Sequence, residues 1–268
     1  MSPLLARCAF WQDNDTGNSG YTVRILCRET GERLENFSAV RIAEIYTSIQ
    51  GEGFLTGTTS SFVRVTGCNL RCWFCDTPYT SWNPQGETLE VCEILQRVKS
   101  LGRRHVVITG GEPMMYTDLV PLCGQLRAAN HHITLETAGT RFLPLDCDLM
   151  SISPKLANSV PSRERAAAWR ERHEQRRHRP AVIRQLIDAH TNYQMKFVID
   201  RPPDCLDVIR YLKDYPQIPR ERVLLMPQGI DGFTLASKRE WLEPWCHQRG
   251  FHYCPRKQIE WFGKLPAS

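Results

Sequence analysis

The chain has 268 residues, 41% of them hydrophobic and 24% charged, with a formal net charge of +5. That is the balance of a globular protein with a sizeable core, one large domain or one domain plus appendages. No apolar run approaches the ~18 residues of a membrane-spanning helix, residues 1–10 make a poor signal peptide, and so mild a charge does not call for nucleic acid.

Residues 1–38 have weak periodicity and a Gly/Asn/Asp-rich stretch at 13–20. They read as an N-terminal extension, flexible or folded as a small β-hairpin with a strand at 21–27. The organised chain opens at Val40-Arg41-Ile42, and a valine there is what a GTG start codon would leave. Strands are expected at 61–65, 105–108, 133–136, 149–152, 193–199 and 222–225. Helices are expected at 87–101, 117–130, 181–189, 203–215 and 235–249. Helix-length segments between strands mean right-handed crossovers and a mostly parallel sheet. The expected fold is therefore α/β, a partial (β/α) barrel built from residues 39–268. A basic helical insertion is expected near 158–180, where seven arginines face three glutamates. It reads as a solvated helix laced by i,i+3 and i,i+4 ion pairs. With Trp169 as its lone aromatic residue it makes a poor RNA face.

The polar and glycine-rich punctuation falls at the C-terminal ends of strands, where parallel α/β folds carry their sites. Residues 67–77 read G-C-N-L-R-C-W-F-C-D-T. Cys68, Cys72 and Cys75 stand in C-x3-C-x2-C spacing with no fourth cysteine close downstream. Three thiolates suit a 4Fe-4S cluster with one iron left open. A structural zinc site or an electron-transfer cluster wants four protein ligands, and such a zinc or cluster module is the non-enzymatic alternative. Eleven cysteines in all, an odd number, suit a reducing cytoplasm better than a disulfide scaffold. The eight outside the motif read as small core hydrophobes.

Upstream, Ile49-Gln50-Gly51-Glu52-Gly53 sets glycines around a carboxylate, so that backbone can approach a ligand closely. Arg64 sits in the strand entering the cysteine loop and can hold a carboxylate bidentately. Thr109-Gly110-Gly111-Glu112-Pro113 ends another strand with amides open to a small charged group. Ser153-Pro154-Lys155 ends a third with a hydroxyl and a cation, and Met226-Pro227-Gln228-Gly229 ends a fourth. Thr77 offers a hard oxygen suited to Mg²⁺.

The cysteine spacing, with aromatic residues just before the last thiol, resembles that of the radical S-adenosylmethionine (SAM) enzymes. Taken with Gln50-Gly51-Glu52-Gly53, Phe62-Val63-Arg64 and Cys75-Asp76-Thr77, it resembles the 7-carboxy-7-deazaguanine synthase family over about residues 41–263. The resemblance implies conversion of 6-carboxy-5,6,7,8-tetrahydropterin to 7-carboxy-7-deazaguanine with loss of ammonia, in 7-deazapurine (queuosine) biosynthesis. It implies a 4Fe-4S cluster on Cys68, Cys72 and Cys75, SAM as a regenerated cofactor, and Mg²⁺ on Thr77. Substrate would meet Ile49, Gln50, Gly51, Arg64 and Thr109. SAM would meet Phe74, Cys75, Asp76 and Gly111, then Ser153, Pro154 and Lys155, and then Met226, Pro227, Gln228 and Gly229. A cytoplasmic homodimer reduced by an external donor such as flavodoxin or ferredoxin is the implied setting. Two departures stand out: Gln258 occupies the place of a histidine in the family's Pro-Arg-x-His stretch, and the tail at 263–266 lacks an Arg-Gly-Thr-like ending. The rival enzymatic readings are a glycyl-radical activase and a diverged paralogue with another substrate.

Overall fold

The computed structural model describes residues 39–263. The expectations for residues 1–38 and for the tail beyond 263 lie outside the described residues. Strands β1 (Ala39–Ile49), β2 (Thr59–Val65) and β3 (Glu87–Glu90) form the antiparallel margin of one nine-stranded sheet, ordered β3-β1-β2. From β2 onward every pairing is parallel and follows chain order. The run continues through β4 (His105–Gly110), β5 (His132–Thr137), β6 (Leu149–Ile152), β7 (Tyr193–Ile199), β8 (Val223–Pro227) and β9 (His252–Tyr253). The sheet is open, with β3 and β9 at its edges, as a partial barrel requires.

Helices fill the connections: α1 (Pro78–Ser81), α2 (Val91–Ser100), α3 (Leu119–Ala128), α4 (Arg163–Arg177), α5 (Pro180–Ala189), α6 (Pro202–Lys213), α7 (Gly232–Arg249) and α8 (Lys257–Phe262). Side chains alternate across a strand with period two. One set, Val63 and Val65, Val106 and Ile108, Met195 and Phe197, is fully buried in a single core with Ile94, Leu122, Ile183 and Val208 of the helices. The other set is left to line the concave face.

Two elements differ from the sequence expectation. The segment 87–101 is not one helix: Glu87–Glu90 pairs with β1, seating Leu89 opposite Val40, and α2 begins at Val91. The Glu90 N–H donates to the Glu93 carboxylate at 2.9 Å, a local stop signal that favours a helix start there. The insertion helix is shorter than 158–180 and is kinked at Ala166 (φ −163°, ψ 65°).

Candidate active site

The concave face encloses a cavity of about 490 Å³, within the range of small-molecule sites. Alternate strand residues line it: Phe62 and Arg64 on β2, Val107 and Thr109 on β4, Glu136 on β5, Ser151 on β6, Lys196 and Val198 on β7. Ile49, Gln50 and Gly51, at the end of β1, reach the same wall, as do Cys68, Cys72, Cys75 and Thr77. So do Phe74, Asp76, Gly111, Ser153, Lys155, Met226 and Gln228. Of the residues singled out in the sequence, Pro154, Pro227 and Gly229 stand beside the cavity rather than in its lining. A separate groove on the outside of α4, between Val160 and Glu174, shares no residue with this cavity.

The cysteine loop leaves β2 and passes close to the end of β4. The Gly67 N–H donates to the Thr80 carbonyl (2.7 Å), and the Glu112 N–H donates to the Gly67 carbonyl (2.9 Å). A Cβ on Gly111 would sit 1.9 Å from the Gly67 oxygen, so this crossing admits no side chain there. Glu112 turns away from the cavity and is fully buried. It accepts from Thr137 Oγ1 (2.7 Å), the Met114 N–H (3.1 Å) and the Ala138 N–H (2.9 Å), tying the end of β4 to the end of β5. Burial raises its pKa against those hydrogen bonds.

Among the described residues no three His, Cys, Asp or Glu converge on a single-ion position. Burial pushes the Cys68 thiol up to about 12, and raises Cys72 and Cys75 as well. Donors already face the sulfurs: the Leu70 N–H lies 3.4 Å from Cys68 Sγ, and Ser81 Oγ lies 3.2 Å from Cys75 Sγ. One buried and two half-buried thiols that already face hydrogen-bond donors fit a cationic, thiolate-binding group, whose arrival would release their protons.

A charge network crosses the barrel. Lys196 donates to Glu52 (2.7 Å) and Glu136 (3.1 Å), and Thr109 Oγ1 donates to Glu136 (2.7 Å). Glu52 also accepts from Arg256 Nε (3.2 Å) and Gln258 Nε2 (2.6 Å), and Arg256 Nη2 reaches Asp76 at 2.5 Å. Burial alone would raise the Glu52 pKa, but Lys196 and Arg256 bring it down to about 2. Lys196 is lifted above its ordinary range by Glu136 and Glu52 in spite of burial. Both Glu52 oxygens are thus committed inside the protein, and the carboxylate is a hub for neighbouring charges rather than a free ligand group. Arg64 is similarly engaged: its Nε donates to Glu44 (2.5 Å) and its Nη2 to Tyr46 (2.6 Å), while Tyr79 also donates to Glu44 (2.7 Å). Lys155 Nζ is steadied by the Ser153 carbonyl and hydroxyl, each at 2.7 Å.

Sequence reading missed Tyr46, Glu136, Lys196 and Arg256 as wall residues. Their signal was positional: Lys196 shares the inward face of β7 with Val198, and Glu136 lies beyond Thr134 on β5 at the same two-residue spacing. Gly51 shows how the open side of the barrel is bridged. The Lys257 N–H donates to the Gly51 carbonyl (2.9 Å), and a Cβ on Gly51 would lie 2.1 Å from Gln258 Oε1.

Comparison with known proteins adds three findings. The model of the radical SAM superfamily matches residues 62–194. A 7-carboxy-7-deazaguanine synthase of Rhodopirellula baltica is 45% identical over 87% of this chain and 90% of its own, and one of Halobacterium salinarum is 39% identical over 86% and 93%. The crystal structure of QueE from Escherichia coli covers 82% of this chain and 96% of its own with a TM-score of 0.59 and 22% identity, a likeness of fold.

Proposed function

The chain belongs to the 7-carboxy-7-deazaguanine synthase family of radical SAM enzymes, and on that premise we propose that it converts 6-carboxy-5,6,7,8-tetrahydropterin to 7-carboxy-7-deazaguanine with release of ammonia, in queuosine-type 7-deazapurine biosynthesis. The observation that carries this reading is the meeting of the cysteine triplet, the strand-end motifs and the Gln50/Arg64/Thr109 set on one cavity wall. In this reading Cys68, Cys72 and Cys75 hold a 4Fe-4S cluster. When bound, the reduced cluster and SAM supply hydrogen-abstracting one-electron chemistry.

The chain's own groups bind and orient. Phe74, Asp76, Gly111, Met226 and Gln228 flank SAM, with Pro154, Pro227 and Gly229 shaping that wall from behind. Lys155, held by Ser153, presents a cation to the SAM carboxylate. Arg256 fixes Asp76 from behind. Ile49, Gln50, Gly51 and Thr109 contact the pterin, and Arg64 gives a fixed positive charge for its carboxylate. Gln258 Oε1 is buried without a protein partner and adds an acceptor for a pterin N–H. Thr77 contributes an oxygen to Mg²⁺, an ion that keeps several waters and takes few protein ligands. Holding the carboxylate-bearing carbon in one orientation is what directs a rearrangement. The enzyme takes its electron from a flavodoxin- or ferredoxin-class donor and works as a cytoplasmic homodimer.

Anaerobic turnover tests the reading. Reconstituted protein with reductant, SAM, Mg²⁺ and 6-carboxytetrahydropterin should yield 7-carboxy-7-deazaguanine by mass spectrometry, and Cys72→Ala protein should yield none. SAM cleavage to 5′-deoxyadenosine without that product would redirect the search to another substrate. Absence of both the product and SAM cleavage in cluster-loaded protein would sink the assignment. Omitting Mg²⁺ after chelation should lower turnover, and Thr77→Val should blunt that dependence.

A further inference from the structure

Helix α4 was expected to be a solvated charge run, and its outer face is that. Its inner face is different. Trp169, His173 and Arg177 recur every four residues, the spacing that stacks side chains along one helix face, and Arg165 stands just before the kink that precedes them. All four meet either the cysteine loop or the strand end beside it. Arg165 Nη1 donates to the Trp73 carbonyl (2.9 Å), and its guanidinium lies 4.3 Å from the Trp82 ring centroid. Trp169 lies under the guanidinium of Arg71 at 3.9 Å. Arg177 Nη1 donates to the Lys155 carbonyl (3.3 Å). The kink at Ala166 falls directly after Arg165, at the first of these contacts.

His173 is the one fully buried residue of this helix. Its Nδ1 accepts the Arg71 N–H at 3.1 Å. With Nδ1 accepting, the ring proton sits on Nε2 and donates to Ser159 Oγ (2.9 Å), whose own hydrogen goes to the Leu156 carbonyl (2.6 Å). Ser159 in turn accepts the Trp73 N–H through its backbone oxygen (3.2 Å), and Asn158 accepts the Trp73 indole N–H (2.6 Å). The two peptides that set the path between Cys68 and Cys75 are therefore held from the 158–173 segment and not from the barrel strands. Arg71, clamped on Trp169, adds donations to the Cys68 and Leu70 carbonyls at 2.8 and 2.7 Å.

We propose that α4 is a clasp that holds the cysteine loop in its ligating shape, with His173 as the positioning residue that fixes the Arg71 peptide. The proposal rests on the reading of Cys68, Cys72 and Cys75 as cluster ligands. It assigns the basic insertion a role that neither its charge nor its exposed face suggests. Groups that orient ligands from outside the coordination sphere commonly govern metal retention by roughly 10–100-fold.

The test uses full-length protein, iron-loaded and metal-free. His173→Leu removes both ring hydrogen bonds. His173→Asn keeps an acceptor near the Nδ1 position. In the metal-free protein, His173→Leu should lower amide-exchange protection across residues 69–74 while leaving the β4 and β7 amides protected. In the loaded protein, iron should be lost to a ferrous chelator roughly tenfold faster or more, with an altered electron paramagnetic resonance spectrum of the reduced cluster. His173→Asn should restore all three readouts toward wild type. Wild-type protection, chelation rate and spectrum in His173→Leu would overturn the clasp. If His173→Leu fails to fold, the exposed Arg165→Ala carries the same expectation at smaller size, and wild-type behaviour there would overturn it. A wild-type protein that takes up no more iron than Cys72→Ala would overturn the cluster reading and the clasp with it.

Discussion

Glu52 shows how far a residue's surroundings can redirect its chemistry. A carboxylate between two glycines reads as a ligand group for a substrate edge, but Lys196, Arg256 and Gln258 occupy it fully. Its pKa falls from 4.5 to about 2. A depressed carboxylate stabilises the fold above its unfolded pKa and loses that contribution as pH falls through the folded value. The shift corresponds to about 3 kcal/mol. In urea unfolding of the metal-free protein, the gap between wild type and Glu52→Gln should be widest above pH 5 and close steadily between pH 4.5 and about pH 2. A gap constant across that window would mean that the pairing with Lys196 and Arg256 does not form in solution. The thiols of the cysteine loop make the opposite case, raised by burial. No local spacing rule reports that, because burial is decided by what packs above them.

At the scale of elements, most strands and helices were legible because a buried strand and an amphipathic helix each write their period into neighbouring residues. Where reading failed, a distant partner decided. Residues 87–90 could continue a helix, but the free edge of β1 takes them as a strand. Eleven-residue β1 was not read as a strand at all, only as the opening of the organised chain at 40–42, since it is held by cross-strand partners on β2 and β3. The Thr109–Pro113 turn was legible as a site element, yet the division of labour inside it was not: Gly111 faces the cavity and Glu112 is a bracket between strands. Gly111→Ala should therefore damage the fold as well as the site. Its new Cβ meets the Gly67 carbonyl rather than a movable side chain, and a loss of about 3 kcal/mol or more is expected from such overpacking. The urea midpoint of the metal-free protein measures it, and an unchanged midpoint would show that the loop crossing is looser than described.

At the scale of the whole molecule, the parallel run from β2 to β9 brings every strand-end motif to one wall. The antiparallel β1 returns the 49–53 segment to the open side, where it meets α8. Among the described residues, strand β1 begins at Ala39 and pairs there with Glu90. On the sequence reading of residues 1–38 as an N-terminal extension, a chain of residues 39–268 is expected to unfold within a few degrees of the full chain and to retain turnover. Aggregation of that chain, or loss of its cooperative transition, would assign residues 1–38 a part in the fold. No helix among the described residues is long and apolar enough to cross a membrane.

The sequence by itself determined the alternation of strands and helices, the cysteine triplet and the strand-end motifs. Each of these is written in residues a few positions apart, where covalent spacing sets geometry. Only the tertiary structure decided the rest. Lys196 meets Glu52 across 144 positions, Arg256 meets Asp76 across 180, and His173 meets Arg71 across 102. Those contacts depend on the curvature of the sheet and the docking of α4 and α8, which no short stretch of chain specifies. The same arginines and glutamates would satisfy a solvated helix equally well, and it is the position of the cysteine loop beneath α4 that turns one of its faces into a clasp.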